Sequence, residues 1–257
     1  MASSSQAQPR AALLVTCLVD LFRPSVGFAA NDLVEGAGCR VEVPPTQTCC
    51  GQPAHNAGAT HEARAIAKRV IGEFADHDYV VAPSGSCAGM VHCHYPELFE
   101  DDPDWQTRAR ALAGKTFELT SFLVDRLGVD KVASRLDGIA AYHDGCSGKR
   151  ELGISAQPRR LLQSVEGLEV RERKDPGLCC GFGGTFAVTF DRISARMTGD
   201  CARDLEGTGA QFLLGGDLGC LLNLAGWLRR KGSPVEVRHV AEILAGRMDT
   251  APIGRAG

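Results

Sequence analysis

The chain is predicted to be an α/β protein of two pseudo-symmetric β/α repeats, each with a mostly parallel sheet, packed together. Three observations predict this. The tripeptide Cys-Cys-Gly occurs twice, and each copy is flanked by lone cysteines. The first set is Cys17, Cys49, Cys50 and Cys87; the second is Cys146, Cys179, Cys180 and Cys220. Corresponding members lie 129, 130, 130 and 133 positions apart, closer than chance allows, so the pattern marks an internal duplication. Candidate strands and helices recur in the same order around both sets. No low-complexity linker separates the halves, so they are expected to pack closely.

The elements follow in order. Residues 1–10, rich in Ser, Ala and Gln, are expected to form a disordered tail. The first repeat, 11–93, opens on the apolar run Leu13-Leu14-Val15-Thr16-Cys17, read as a buried strand. That run superficially resembles a signal-peptide core, and Leu14 to Cys17 a lipoprotein cleavage box. Thr16 is a poor small residue before the cysteine, and Asp20 follows at once, so the strand reading is preferred. A helical segment at 24–38 and the strand Val41-Glu42-Val43 lead to the first Cys-Cys-Gly loop. After it, Ala63, Ile66, Ala67, Val70, Ile71 and Phe74 fall on one helical face. Thr60 is the expected N-cap, with Glu62 in the first turn, where the helix dipole favours it. The strand Tyr79-Val80-Val81-Ala82 then runs toward Cys87.

A connection at 94–137 is expected to be helical around Trp105 to Leu112 and Thr120 to Leu127, stopping at Gly128. The second repeat, 138–250, begins with the strand Ile139-Ala140-Ala141-Tyr142, before Cys146. A helical segment at 148–165, the strand Leu168-Glu169-Val170 and the second Cys-Cys-Gly loop follow. Ile193, Met197, Cys201 and Leu205 make a sparser helical stripe, and Gln211-Phe212-Leu213-Leu214 is the strand before Cys220. A strand near Val235-Glu236-Val237 and a helix from Val240 to Arg247 close the chain. Each repeat is thus β-α-β-α-β with its lone cysteines after strand C-termini, the edge where open parallel sheets bind ligands. The three cysteine-bearing loops of one half are expected to meet there.

At 257 residues the chain can bury a core without covalent staples. A net charge of −3 gives no electrostatic case for nucleic acid. No apolar run approaches the ~18 residues of a membrane span. Eleven cysteines, an odd number in so large a chain, favour metal binding in a reducing cytoplasm over disulfides.

Thiolates are soft ligands for zinc, copper(I) or iron–sulfur clusters. Structural zinc usually draws on Cys-x2–4-Cys knuckles, and no such pair lies among the eight repeated cysteines. Vicinal thiolates diverge, which suits a polynuclear cluster whose irons lie apart; four thiolates are the usual complement of [4Fe–4S]. Gly51, and Gly181, Gly183 and Gly184, let backbone approach a cluster and adopt φ > 0. Cys39, Cys93 and Cys201 stand outside the repeat and read as small buried hydrophobes. His92, Cys93 and His94 are too close in sequence to converge readily on one ion.

The residues resemble a known family, the cysteine-rich CCG domain. It occurs in heterodisulfide reductase and in the iron–sulfur subunits of glycolate oxidase and anaerobic glycerol-3-phosphate dehydrogenase. The nearer resemblance is to the stand-alone lactate utilization protein A group. It is carried by Val15-Thr16-Cys17-Leu18-Val19-Asp20, Cys49-Cys50-Gly51-Gln52-Pro53-Ala54, Pro83-Ser84-Gly85-Ser86-Cys87, Cys179 to Phe186 and Gly219-Cys220-Leu221-Leu222-Asn223. The resemblance implies two iron–sulfur clusters held by Cys17, Cys49, Cys50, Cys87, Cys146, Cys179, Cys180 and Cys220. It also implies L-lactate oxidation to pyruvate alongside two companions, one with ferredoxin-type clusters and one without. In heterodisulfide reductase each repeat ends in Cys-x-x-Cys and holds a non-cubane cluster. Here Ser84 and Asp217 stand at the added cysteine positions, leaving a four-thiolate site for which either residue is a candidate oxygen ligand. His143, three residues before Cys146, has Leu14 as its counterpart and is the candidate catalytic residue, as hydrogen-bond donor or proton carrier. Lys149 and Arg150 are candidates for attracting a carboxylate substrate. A heterodisulfide-type thiol reductase, a glycolate-type oxidase subunit and a zinc-stabilised scaffold are the alternatives.

Overall fold

The computed structural model describes residues 8–255. Its first half holds strands β1 (Arg10–Leu13), β2 (Arg40–Glu42), β3 (Tyr79–Ala82) and β4 (Thr116–Glu118). They form a sheet in the order β2-β1-β3-β4, every neighbour parallel. The second half repeats this with β5 (Arg135–His143), β6 (Glu166–Arg171), β7 (Phe212–Gly215) and β8 (Glu236–His239), in the order β6-β5-β7-β8. The two-repeat α/β architecture expected from the cysteine spacing is therefore present. No described helix is long and apolar enough to cross a membrane.

Several elements differ from the sequence expectation. β4 lies inside the connection expected to be helical, between its two expected helical stretches. It has three residues, too few to show a period, and is fixed by pairing with β3 at Val80↔Thr116 and Ala82↔Glu118. The first half thereby gains the counterpart of β8. Arg10, placed in the tail, belongs to β1: its N–H donates to Asp78 Oδ2 at 2.8 Å and its carbonyl accepts from Asp78 N at 3.1 Å. The expected tail at 1–7 lies outside the described residues. The segment 148–165 splits into helices Cys146–Glu151 and Ala156–Leu162, broken at Gly153, whose φ of +69° no helix accommodates. Thr60 starts its helix, Thr60–Glu73, but Ala59 takes the N-cap position and no side chain caps it.

The stripe of the helix Asp191–Glu206 is also redrawn. Ser194, Thr198, Cys201 and Leu205 face inward, whereas Ile193 is 55% exposed. These four lie 131 positions after Ala63, Ala67 and Val70, buried in the first-half helix, and Phe74, its buried C-cap. Hydrophobic periodicity missed this face because polar residues occupy it.

One core runs through both halves, from Val26, Ala30 and Phe122 to Leu161, Leu214 and Leu244. Arg23 and Glu242 clamp it, pairing at 2.8 Å with Glu242 fully buried, and Ser25 Oγ donates to the same carboxylate at 2.6 Å. This joint holds the C-terminal edges of the two sheets toward each other.

Candidate metal centre

Each lone cysteine follows a strand and begins or enters a helix. Cys17 opens the helix Cys17–Phe22 after β1, and Cys146 opens Cys146–Glu151 after β5. Cys87 lies in the helix Gly85–Gly89 after β3, and Cys220 in the first turn of Leu218–Arg230 after β7. The Cys-Cys-Gly loops meet them, each vicinal pair dividing between two partners. In the first half Cys17 Sγ lies 3.6 Å from Cys49 Sγ, and Cys50 Sγ lies 3.3 Å from Cys87 Sγ. In the second, Cys180 Sγ lies 2.8 Å from Cys220 Sγ, while the Cys146 and Cys179 thiols are near enough to perturb each other's pKa. None of the eleven cysteines forms a disulfide.

The glycines make these loops. Gly51 and Gly181 have φ of +83° and +76°, and their N–H groups point at Cys49 and Cys179 Sγ, both at 3.4 Å. Backbone donors on thiolate sulfur offset negative charge at a metal site. The second loop is further anchored by the polar helix face: Ser194 Oγ donates to the Gly181 carbonyl at 2.8 Å. Thr198 Oγ1 and Asn223 Nδ2 both donate to the Cys180 carbonyl at 2.9 Å. In the first half Tyr95 Oη does this for the Cys50 carbonyl at 2.8 Å.

All eight cysteines line one cavity of ≈ 220 Å³ between the halves. The sequence expectation was a separate site at each sheet; the duplication instead sets the two tetrads facing a common space. Gln52, Asn56, Ser86, Ser147, Phe182, Gly184 and Leu218 are among its other walls, and no Lys or Arg reaches it. Lys149 instead pairs with Asp144 at 3.6 Å, and Arg150 is exposed.

Ser84 and Asp217, the two residues read from the sequence as candidate oxygen ligands, bond each other across the halves. Asp217 accepts from Ser84 Oγ at 2.7 Å and from Ser86 Oγ at 2.6 Å and N at 3.2 Å. Their oxygens are engaged in joining the repeats. Burial raises the Asp217 pKa, opposed by those hydrogen bonds.

His143 does not line the cavity; it lies behind the second tetrad, 2% exposed. One of its ring nitrogens and the Cys180 and Cys220 sulfurs lie within 4.8 Å of one another. Nδ1 is 3.2 Å from Arg173 Nη1, and Nε2 is buried with no partner. Burial, then the adjacent guanidinium, push its pKa down to about 3, so the ring is neutral. Arg173 escaped the sequence analysis. Aligning the halves at the cysteine offset of 129 would have exposed it, since Pro44 is then its counterpart.

The thiols share protons. Hydrogen bonds from Cys17 and Cys50 hold Cys49 down to about 3, and the bonds to Cys49 raise Cys17 and Cys50 in turn. A soft cation takes the place of such protons, which couples its binding to pH. Cys201 is fully buried, its thiol pushed up to about 11 by burial, and Cys39 is buried among apolar side chains, as expected. Cys93 is only partly buried, contrary to expectation. It does not join His92 and His94: His92 Nδ1 bonds the Ala113 carbonyl at 3.0 Å, and His94 pairs with Glu97 at 3.1 Å.

Comparison with known proteins agrees with this geometry. The family model for the CCG cysteine-rich domain matches residues 11–92 and 140–225, one match per half. Lactate utilization protein A of Geobacillus kaustophilus is 48% identical over 238 residues, covering 93% of this chain and 99% of that one. Its namesake in Bacillus subtilis is 47% identical over 238 residues, 93% of this chain and 100% of that one. Among solved structures, a hypothetical protein from Helicobacter pylori shares the fold, with a TM-score of 0.69 at 12% identity. The similarity covers 95% of this chain and 50% of that longer one. Two Cys-Cys-Gly repeats, one domain match on each, and near-half identity along almost the whole length place the chain in the lactate utilization protein A family of CCG-domain proteins.

Proposed function

We propose that the chain is the iron–sulfur electron-transfer subunit of a cytoplasmic system oxidising L-lactate to pyruvate. The observation that carries this reading is the pair of thiol tetrads facing one cavity. Cys17, Cys49, Cys50 and Cys87 would hold one cluster, and Cys146, Cys179, Cys180 and Cys220 the other. The donor chemistry fits: four soft thiols per site, backbone N–H groups on Cys49 and Cys179, and an unpartnered buried His143 Nε2 behind Cys180 and Cys220. Bound clusters would supply one-electron steps.

Lactate oxidation releases two electrons and two protons, so one-electron centres accept them in turn. The cavity has no Lys or Arg to hold a carboxylate, and thiolate-bound clusters would repel an anion. This favours a relay, with the hydroxy acid bound by companions: one carrying ferredoxin-type clusters and one without. His143, outside the cavity wall, then acts on the second centre, not on substrate.

A second reading has a specific observation behind it. Sulfur separations of 2.8–3.6 Å are compact enough for thiols that converge on single ions, as in a zinc-stabilised scaffold. Anaerobic purification distinguishes the two. Brown protein with iron and acid-labile sulfide supports the relay; colourless protein with stoichiometric zinc contradicts it. Deletion of the encoding gene should abolish growth on lactate and spare growth on glycolate.

A further inference from the structure

We propose that the second tetrad forms the higher-potential of two unequal centres, because Arg173 locks His143 in the tautomer that offers a proton to it. This rests on the iron–sulfur reading above. An arginine side chain only donates hydrogen bonds, so His143 Nδ1 accepts from Arg173 Nη1 at 3.2 Å. The proton of the neutral ring therefore sits on Nε2. Arg173 is itself fixed: its side chain is 1% exposed, Nε donates to Asp204 Oδ2 at 3.1 Å, and Nη2 lies 3.4 Å from Cys201 Sγ.

Nε2 thus carries a buried proton without a partner among the described residues. Leaving such a donor unsatisfied costs about 1–3 kcal/mol. The acceptors its surroundings favour are sulfur atoms of a centre held by Cys180 and Cys220, which group with the ring within 4.8 Å. A nitrogen that keeps its proton is not an iron ligand. His143 is therefore a donor to the centre, and Arg173 its positioning residue.

The first half has no equivalent. Leu14 replaces His143 and Pro44 replaces Arg173 at the common offset of 129. On the packed helix, Ala63, Ala67 and Val70 stand where the second half has Ser194, Thr198 and Cys201. One tetrad is backed by hydrocarbon and by the Tyr95 hydroxyl, which is spent on the Cys50 carbonyl, the other by a histidine donor held by a buried arginine. Hydrogen bonds to cluster sulfur stabilise the reduced, more negative state and raise its potential. Electrons entering at the first centre would then run downhill across the shared cavity to the second.

The test is an anaerobic redox titration of the reconstituted full chain, followed by EPR. Two separate midpoints are expected, and Cys179→Ser should remove the higher one. His143→Leu should lower the higher midpoint toward the other and leave the lower in place. His143→Gln, whose amide N–H stands near Nε2, should retain most of the separation; Arg173→Met should reduce it. In the metal-free chain, nitrogen NMR should find the His143 proton on Nε2. A single shared midpoint, or a His143→Leu variant with both midpoints unmoved, overturns the inference while leaving the iron–sulfur reading intact. A proton found on Nδ1 overturns it too. A chain that takes up no iron and sulfide overturns both.

Discussion

Gly181 carries the tightest backbone constraint in the second tetrad. At φ +76°, an added Cβ would stand 2.7 Å from the Ser194 carbonyl oxygen and 2.9 Å from Thr198 Oγ1. At Gly51 the nearest atom is a methyl of Ile66, at 3.2 Å. Gly181→Ala should therefore abolish loading of the second centre, while Gly51→Ala should weaken the first less; metal content per chain reads the difference. Asp217 links Ser84 and Ser86 across the halves, so Asp217→Ala strands buried donors. It should lower stability by about 1–3 kcal/mol in urea unfolding. Glu118 is fully buried, and burial, against hydrogen bonds from Thr120 and Ser121, raises its pKa from 4.5 to about 7. A raised folded-state pKa means the folded chain binds the extra proton. Its stabilisation is full below pH 4.5 and is lost as pH rises through about 7. Wild type should lose on the order of 3 kcal/mol across that window, and Glu118→Gln should flatten the slope.

At the scale of elements, what was legible in the sequence followed from how apolar each surface is. β3, β5 and β7 are central strands that their apolar runs announce; β1 is central too, but it ends at Leu13, so the run read as a strand from Leu13 to Cys17 meets it at one residue and Cys17 opens a helix instead. β4 is a three-residue edge strand, defined by its partner more than by its own pattern. The helix Asp191–Glu206 hid its inner face because Ser194 and Thr198 are spent on carbonyls of the second Cys-Cys-Gly loop. The eight repeated cysteines were legible because the duplication repeats them. Arg173 was not, since its role depends on a histidine 30 positions away and a carboxylate 31 positions away. The clamp between the halves was likewise invisible, as Arg23 and Glu242 are 219 positions apart. Removing one partner of such a buried pair leaves an uncompensated charge, so Arg23→Ala should cost about 3–5 kcal/mol. Replacing both by apolar residues should cost markedly less, and urea unfolding of the single and double variants checks this.

The whole molecule is a duplication turned inward. Two parallel sheets with one strand order bring their C-terminal edges together, so eight thiols border one space. Sequence reading gave each half its own site; only packing shows that the sites face each other, because spacing along a chain says nothing of how repeats dock. The halves differ where they back the thiols, with hydrocarbon and a Tyr95 hydroxyl engaged by the Cys50 carbonyl on one side and His143 with Arg173 on the other. If the tetrads load independently, Cys49→Ser and Cys179→Ser should each halve the metal content and leave the other centre's spectrum in place. The central claim, that this paired cavity holds two iron–sulfur centres, is tested most directly by metal and sulfide analysis of anaerobically purified chain, with Mössbauer spectroscopy of the iron. The account predicts brown protein with about eight irons and about eight acid-labile sulfides, as two four-thiolate [4Fe–4S] sites require. Colourless protein holding zinc without sulfide would contradict it.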